Sequence, residues 1–209
     1  LDSSGEYRIV SFISTSDVLK SSKWKYSAIS KLGTLDGTGA GPYRRNDISV
    51  VSHGTVPQLH NLPLLSQRWH GLISVSIFVA SIQQLPLAVE TILLLRYCSA
   101  SIRHRTSFHL VYPLSLSAKL SNRQARSVLD FLKWPDIVES YPNLDQLASS
   151  KNCDHIQSVV ESWTTTDAAI NYNHKVPYPN NLLRNIGRRY ALTEYSFVID
   201  IDLVPSANL

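Results

Sequence analysis

The sequence predicts an α/β fold: a mostly parallel sheet with helices on both faces. Two observations predict it. From residue 47 onward, short β-branched runs alternate with stretches whose apolar residues recur at helical spacing, the β-α-β-α-β pattern of a parallel sheet. Charged residues make up only 17% of the chain against roughly 25% in ordinary soluble domains, which suits a sheet covered on both faces. With 209 residues and 44% apolar content the chain is long enough to bury a real core, and disorder and a coiled coil are both disfavoured.

Residues 1–46 read as a stem or leader that wraps the domain. They are rich in Ser, Gly and Lys, carry a flexible glycine stretch over 33–42, and hold one apolar strand-like piece over 7–13. The domain proper is placed at 47–209. Its first strand is the β-branched run 48–52, and the segment 52–55 after it reads as a loop whose Gly54 permits close backbone approach. Pro57 then opens a helix with Leu59, Leu62, Leu65 and Trp69 on one face. A second strand covers 72–80, and a helix over 83–98 tolerates Pro86 in its first turn. A third strand, 107–112, is closed by Pro113. Residues 122–163 are mostly helical in composition, broken by Pro135 and Pro142. Pro179 suits the first turn of a helix running to about Tyr190, and 195–201 reads as a buried strand.

Charge is distributed unevenly. Residues 37–126 carry nine basic and two acidic side chains, and residues 127–209 carry six and ten. The basic residues are scattered, with no aromatic-basic or zinc-finger motif, so nucleic acid is not the expected partner and a small anionic ligand is. The longest uncharged run, 69–89, is interrupted by Gly71, Gln83, Gln84 and Pro86 and does not provide a membrane span. The chain begins at Leu1 and lacks Met, and so reads as an internal piece of something longer. Cys98 and Cys153 form no metal-thiolate pattern; they are either one disulfide or two buried thiols, according to compartment.

The chemistry concentrates at the end of the last strand, in Asp200-Ile201-Asp202. Ligands of parallel sheets bind beyond the carboxyl ends of strands, and two closely spaced carboxylates suit Mg²⁺ or Mn²⁺ bridging to a diphosphate. Solvated strand-end acids are the plain alternative. This strand and the upstream stretch Tyr178-Pro179-Asn180-Asn181-Leu182-Leu183-Arg184-Asn185 together resemble glycosyltransferase family 49, with looser matches over 68–78 and at His109-Leu110-Val111 before Pro113.

That resemblance, which covers about 47–209, implies a GT-A type fold binding a nucleotide-diphospho-sugar. The implied reaction is inverting, metal-dependent transfer of glucuronic acid from UDP-glucuronic acid to a xylose-terminated O-mannosyl glycan on a glycoprotein. It would occur on the lumenal side of the Golgi in a type II membrane protein whose anchor lies upstream. Asp200 and Asp202 match the metal and diphosphate ligands, with Asp202 favoured as the direct metal ligand, and the cofactor is Mn²⁺ or Mg²⁺. Arg184 either pairs with phosphate or uracil oxygens or is an exposed helix charge. Asn180 and Asn181 either cap their helix or contact nucleotide. Ser52, His53 and Thr55 either meet the nucleotide or form a plain turn, with His53 more at home on backbone partners than as a base. Cys98 matches a cysteine of the family while Tyr112 stands where another is expected, leaving Cys98 with Cys153 as the one bridge available. The family's base, acceptor groove and last metal ligand follow the Asp-x-Asp strand, so they are expected beyond Leu209. The chain is accordingly read as the donor half of a fold truncated after that strand, inactive alone and prone to homo- or hetero-oligomeric association. The alternatives are a non-catalytic module that binds a partner transferase or nucleotide sugar, and an unrelated phosphate-binding α/β protein.

Overall fold

A computed structural model describes residues 5–13, 47–81, 84–117, Cys153, Val160 and 177–206. The glycine stretch over 33–42 and nearly all of 122–163 lie outside the described residues. Strand β1 is Tyr7–Ile13, β2 Ile48–Thr55, β3 Ile73–Phe78, β4 Thr106–Pro113 and β5 Tyr195–Val198. Helix α1 is Leu62–Arg68, α2 Gln84–Cys98, α3 Ala100–Arg105 and α4 Asn180–Arg189.

The strands form one sheet in the order β1-β4-β3-β2-β5. β2, β3, β4 and β5 are parallel, and β1 lies antiparallel against β4 at the edge. The predicted α/β class with a mostly parallel sheet is thus observed. The strand-like piece in the presumed stem is part of this sheet, hydrogen-bonded along β4.

Two-residue alternation divides the sheet into two faces. One face carries Val50, Ile73, Val75, Ile77, Phe108, Leu110 and Tyr112, which pack with Leu59, Leu62 and Leu65 and with α2 in the main core. The other carries Val51, Ser74 and Ser107 in one row and His53, Ser76 and His109 in the next. Helix α4 covers this second face through Leu183 and Ile186, with Phe78 and Val111 beneath. Helices therefore cover both faces, as the sequence predicts. The serines keep the second face shallow, and Gly187 of α4 sits directly on it: a Cβ there would lie 2.5 Å from Val51 Cγ1.

Several boundaries differ from the sequence reading for local reasons. The helix expected from Pro57 to Trp69 is a 3₁₀ turn, Pro57–Asn61, followed by α1. Pro63 has no N–H to donate to Leu59, so the first turn cannot continue as α-helix. The presumed loop 52–55 is the second half of β2, paired with β3 as far as Thr55. The short helix α3 was not legible from apolar spacing; Ser99 caps it, its hydroxyl accepting from Ile102 N–H at 3.3 Å. The strand expected to be buried over 195–201 is shorter and lies at the sheet edge, with Tyr195 and Phe197 exposed. Along it exposed Tyr195 and Phe197 alternate with half-buried Ser196 and Val198.

Cys98 at the end of α2 is disulfide-bonded to Cys153, with the two Cα atoms 5.3 Å apart. No described helix is long and apolar enough to cross a membrane.

Candidate functional site

After β4 the chain returns to the sheet on the far side of β2, so the strand order reverses between β2 and β5. The carboxyl ends of those two strands mark the crevice in which parallel sheets bind ligands. Ile199 N–H donates to Val51 O at 3.0 Å, and Leu203 N–H to Asp200 O at 3.0 Å, closing a turn over residues 200–203. Ile201, at the middle of the Asp-x-Asp motif, is buried, which turns both flanking carboxylates outward. Its Cγ2 would lie 3.1 Å from any Cβ at position 54, so Gly54 is what lets the motif lie close against the end of β2.

Four side chains from three segments, Tyr178, His53, Arg184 and Asp200, form one linked cluster. Arg184 of α4 donates from Nη2 to Asp200 Oδ1 at 3.1 Å and from Nε to His53 Nε2 at 3.1 Å. Tyr178 Oη lies 2.7 Å from His53 Nδ1. His53 Nε2 is also 3.4 Å from Asp200 Oδ1. Because Nε2 accepts from Arg184, the imidazole proton is assigned to Nδ1, which donates to Tyr178 Oη. Burial, followed by the charge of Arg184, holds the His53 pKa below its usual 6.5 against the opposing pull of Asp200. His53 is thus a neutral, buried hinge between a tyrosine and an arginine. Its partners are side chains, not the backbone groups expected of it.

The remaining predicted residues divide. Ser52 points to the opposite face of β2 from His53, is fully buried, and its hydroxyl has no hydrogen-bond partner. Strand alternation therefore removes it from the nucleotide-binding set proposed above. Thr55 stands at the crevice, but Gln58 Oε1 accepts from both its N–H, at 2.8 Å, and its hydroxyl, at 3.1 Å. Asn180 and Asn181 do not occupy the cap position of α4, which is held by Pro179 without a side-chain cap hydrogen bond. Asn181 instead lines an open cleft of about 730 Å³ between α4 and β5, together with Arg184, Asn185, Arg188, Phe197 and Asp200. Asp202 is exposed on the same turn as Asp200.

Sequence reasoning assigned no role to Tyr178, Asn185 or Arg188. The last two were legible in principle, since Asn181, Arg184, Asn185 and Arg188 follow the i, i+3, i+4, i+7 spacing of one helix face. Tyr178 gave no signal, because its role depends on a histidine 125 positions away.

Asp200 and Asp202 supply the hard oxygen donors that Mg²⁺ or Mn²⁺ takes. No group of three or more His, Cys, Asp or Glu is gathered for a metal among the described residues. A cation bridging to a diphosphate takes one or two carboxylates, with phosphate and water oxygens completing its shell, so the donor set fits that use and not a closed structural site.

Residues 47–209 match the family described as glycosyl-transferase for dystroglycan. The chain is similar to beta-1,4-glucuronyltransferase 1 of Homo sapiens, 30% identical over 194 residues that cover 88% of this chain and 41% of that protein. The Bos taurus protein of that name is 31% identical over 195 residues with the same coverage, and the Danio rerio one 29% over 208 residues, covering 100% of this chain and 41% of the relative. The chain thus spans about two fifths of the length of these relatives.

Proposed function

This chain belongs to the family of glycosyl-transferases for dystroglycan, and from that premise we propose that it carries the donor-binding part of an inverting glucuronyltransferase. The donor is UDP-glucuronic acid and the acceptor a xylose-terminated O-mannosyl glycan on a glycoprotein. The observation that carries this reading is the placement of Asp200 and Asp202 on one turn at the crevice where the strand order reverses, beside a cleft holding two arginines.

Asp200 and Asp202 would hold Mn²⁺ or Mg²⁺, which when bound neutralises charge on the diphosphate leaving group. Arg184 and Arg188, one helical turn apart on the cleft wall, suit a donor carrying a sugar carboxylate besides its phosphates. Asn181 and Asn185 offer amide donors and acceptors between them, and Phe197 provides an apolar surface on the strand side of the cleft. In the transfer, the acceptor hydroxyl oxygen forms a bond to the anomeric carbon while the bond from that carbon to UDP breaks. The hydroxyl proton goes to a general base other than His53, both of whose ring nitrogens are already engaged. The Cys98–Cys153 disulfide supports an oxidising compartment, and we place the protein in the Golgi lumen.

Thermal unfolding of the 209-residue chain with UDP-glucuronic acid, with and without Mn²⁺, tests the reading. Ligand at 100 times its Kd adds about 2.7 kcal/mol to stability. We expect a metal-dependent rise in Tm that Asp202→Ala abolishes. Equal stabilisation of the Asp202→Ala chain, or none in the unmutated one, would overturn it.

A further inference from the structure

We propose that Arg184 is an exchangeable counter-ion of Asp200, held in register by Tyr178 and His53, which leaves the carboxylate for the donor's phosphates as the cation arrives. This rests on the functional reading above and adds to it a reason for cation and nucleotide to bind cooperatively.

The inner half of the cluster is rigid. His53 is 6% exposed, and Tyr178, which binds its Nδ1, packs edge-on against Phe78 with ring centroids 5.7 Å apart. The outer half is open: the Arg184 and Asp200 side chains are 41% and 52% exposed. Arg184 bonds His53 through Nε and Asp200 through Nη2 only, which leaves the other N–H groups of the guanidinium on the cleft side. The 3.1 Å bond from Arg184 Nε to buried His53 Nε2 fixes one nitrogen of the fork while the others remain free to change partner.

The Asp200 oxygen that Arg184 occupies is a candidate oxygen for the cation. A guanidinium 3.1 Å from it competes with a divalent cation for the same site and repels it. When the cation brings a diphosphate, the arginine gains acceptors that its planar fork matches better than a single carboxylate oxygen. Cation alone must displace Arg184 without replacement; cation with nucleotide gives it a new partner. The two ligands are therefore positively coupled through this side chain, and by linkage each tightens the other by the same factor.

Titration of the full 209-residue chain with Mn²⁺, followed by water-proton relaxation with and without UDP, tests this directly. Arg184→Gln is expected to bind Mn²⁺ alone about twofold to fivefold more tightly, the range for loss of an exposed ion pair, while UDP tightens Mn²⁺ binding by a smaller factor than in the unmutated chain, only the direct phosphate–cation contribution remaining. Tyr178→Phe, which removes the acceptor of the His53 proton, is expected to shift both quantities in the same directions by less. A merely structural role for Arg184 would weaken both affinities together. Unchanged or weaker Mn²⁺ binding in Arg184→Gln overturns the exchange, and no effect of Tyr178→Phe overturns the part assigned to the tyrosine and histidine. Asp200→Asn and Asp202→Asn separate the two readings. If they abolish Mn²⁺ binding while Arg184→Gln does not strengthen it, the exchange alone fails; if they leave it intact, the donor-site reading fails as well.

Discussion

Replacing Gly187 with alanine tests what sets the depth of α4 on the sheet, and through it the position of Arg184. The added Cβ would lie 2.5 Å from Val51 Cγ1, 3.4 Å from Ser76 Oγ and 3.7 Å from Ser74 O. Carbon atoms in good contact are about 3.5–4.0 Å apart, so helix or sheet must yield by about 1 Å. Val51 is fully buried and β-branched, so it cannot swing aside freely. Overpacking of this kind costs about 1–3 kcal/mol. Lifting the helix also stretches the 2.9 Å hydrogen bond from Ser74 Oγ to Gly187 O, worth about 1 kcal/mol. Against these stands the gain of about 1 kcal/mol from alanine over glycine in a helix. The net expectation is destabilisation by about 1–3 kcal/mol in urea unfolding, with a smaller cost in a Val51→Ala background, where the obstructing methyl is gone. The opposing signs make the test sharp. A Gly187→Ala chain about 1 kcal/mol more stable than its parent would behave as a helix with free space beneath it, and would refute the close-packing explanation.

Burial pushes the His109 imidazole down to about 3, whereas in the unfolded chain it titrates near 6.5. Above pH 6.5 both states are neutral there; below it only the unfolded chain takes the proton, so stability falls as pH drops toward 3, by up to about 1.4 kcal/mol per pH unit. Urea midpoints at pH 7.5, 6 and 5 check this: His109→Gln should show a shallower acid loss, and identical slopes would contradict it. Reducing the Cys98–Cys153 bridge, which closes a separation of 55 residues, should lower stability by about 4 kcal/mol in the chain-entropy model, measured as the difference in urea unfolding with and without reductant. Equal midpoints would mean that the bridge does not constrain the unfolded chain.

Much of the sheet was legible because its strands follow a local rule. The run from Ile73 to Phe78 alternates Ile73, Val75 and Ile77 toward the main core with Ser74 and Ser76 toward α4, and no distant contact is needed to see it as a strand. The same alternation, applied strictly, removes Ser52 from a site that includes His53. What hid this was the reading of 52–55 as a loop, where side-chain direction has no fixed period. The edge position of β5 was not legible, since an apolar run over 195–201 looks alike whether one side or both sides are paired. Asp200 and Arg184 were identified from motif and helix position, and they lie on one cleft. Their direct contact was not foreseen, because a side chain's partner depends on distances between elements.

By itself the sequence determined the alternation of strands and helices, the helix that Pro179 opens and the paired carboxylates at a strand end. Each is written in spacings of a few residues, where backbone geometry alone decides which side chains share a face. Only the tertiary structure decided that the strand order reverses between β2 and β5, that Gly187 rests on a floor of serines, and that Tyr178, His53, Arg184 and Asp200 form one chain of contacts. The hydrogen bonds of that chain of contacts alone join residues 16 to 131 positions apart. They follow from how the sheet and its covering helix pack, which no short-range pattern in the sequence encodes.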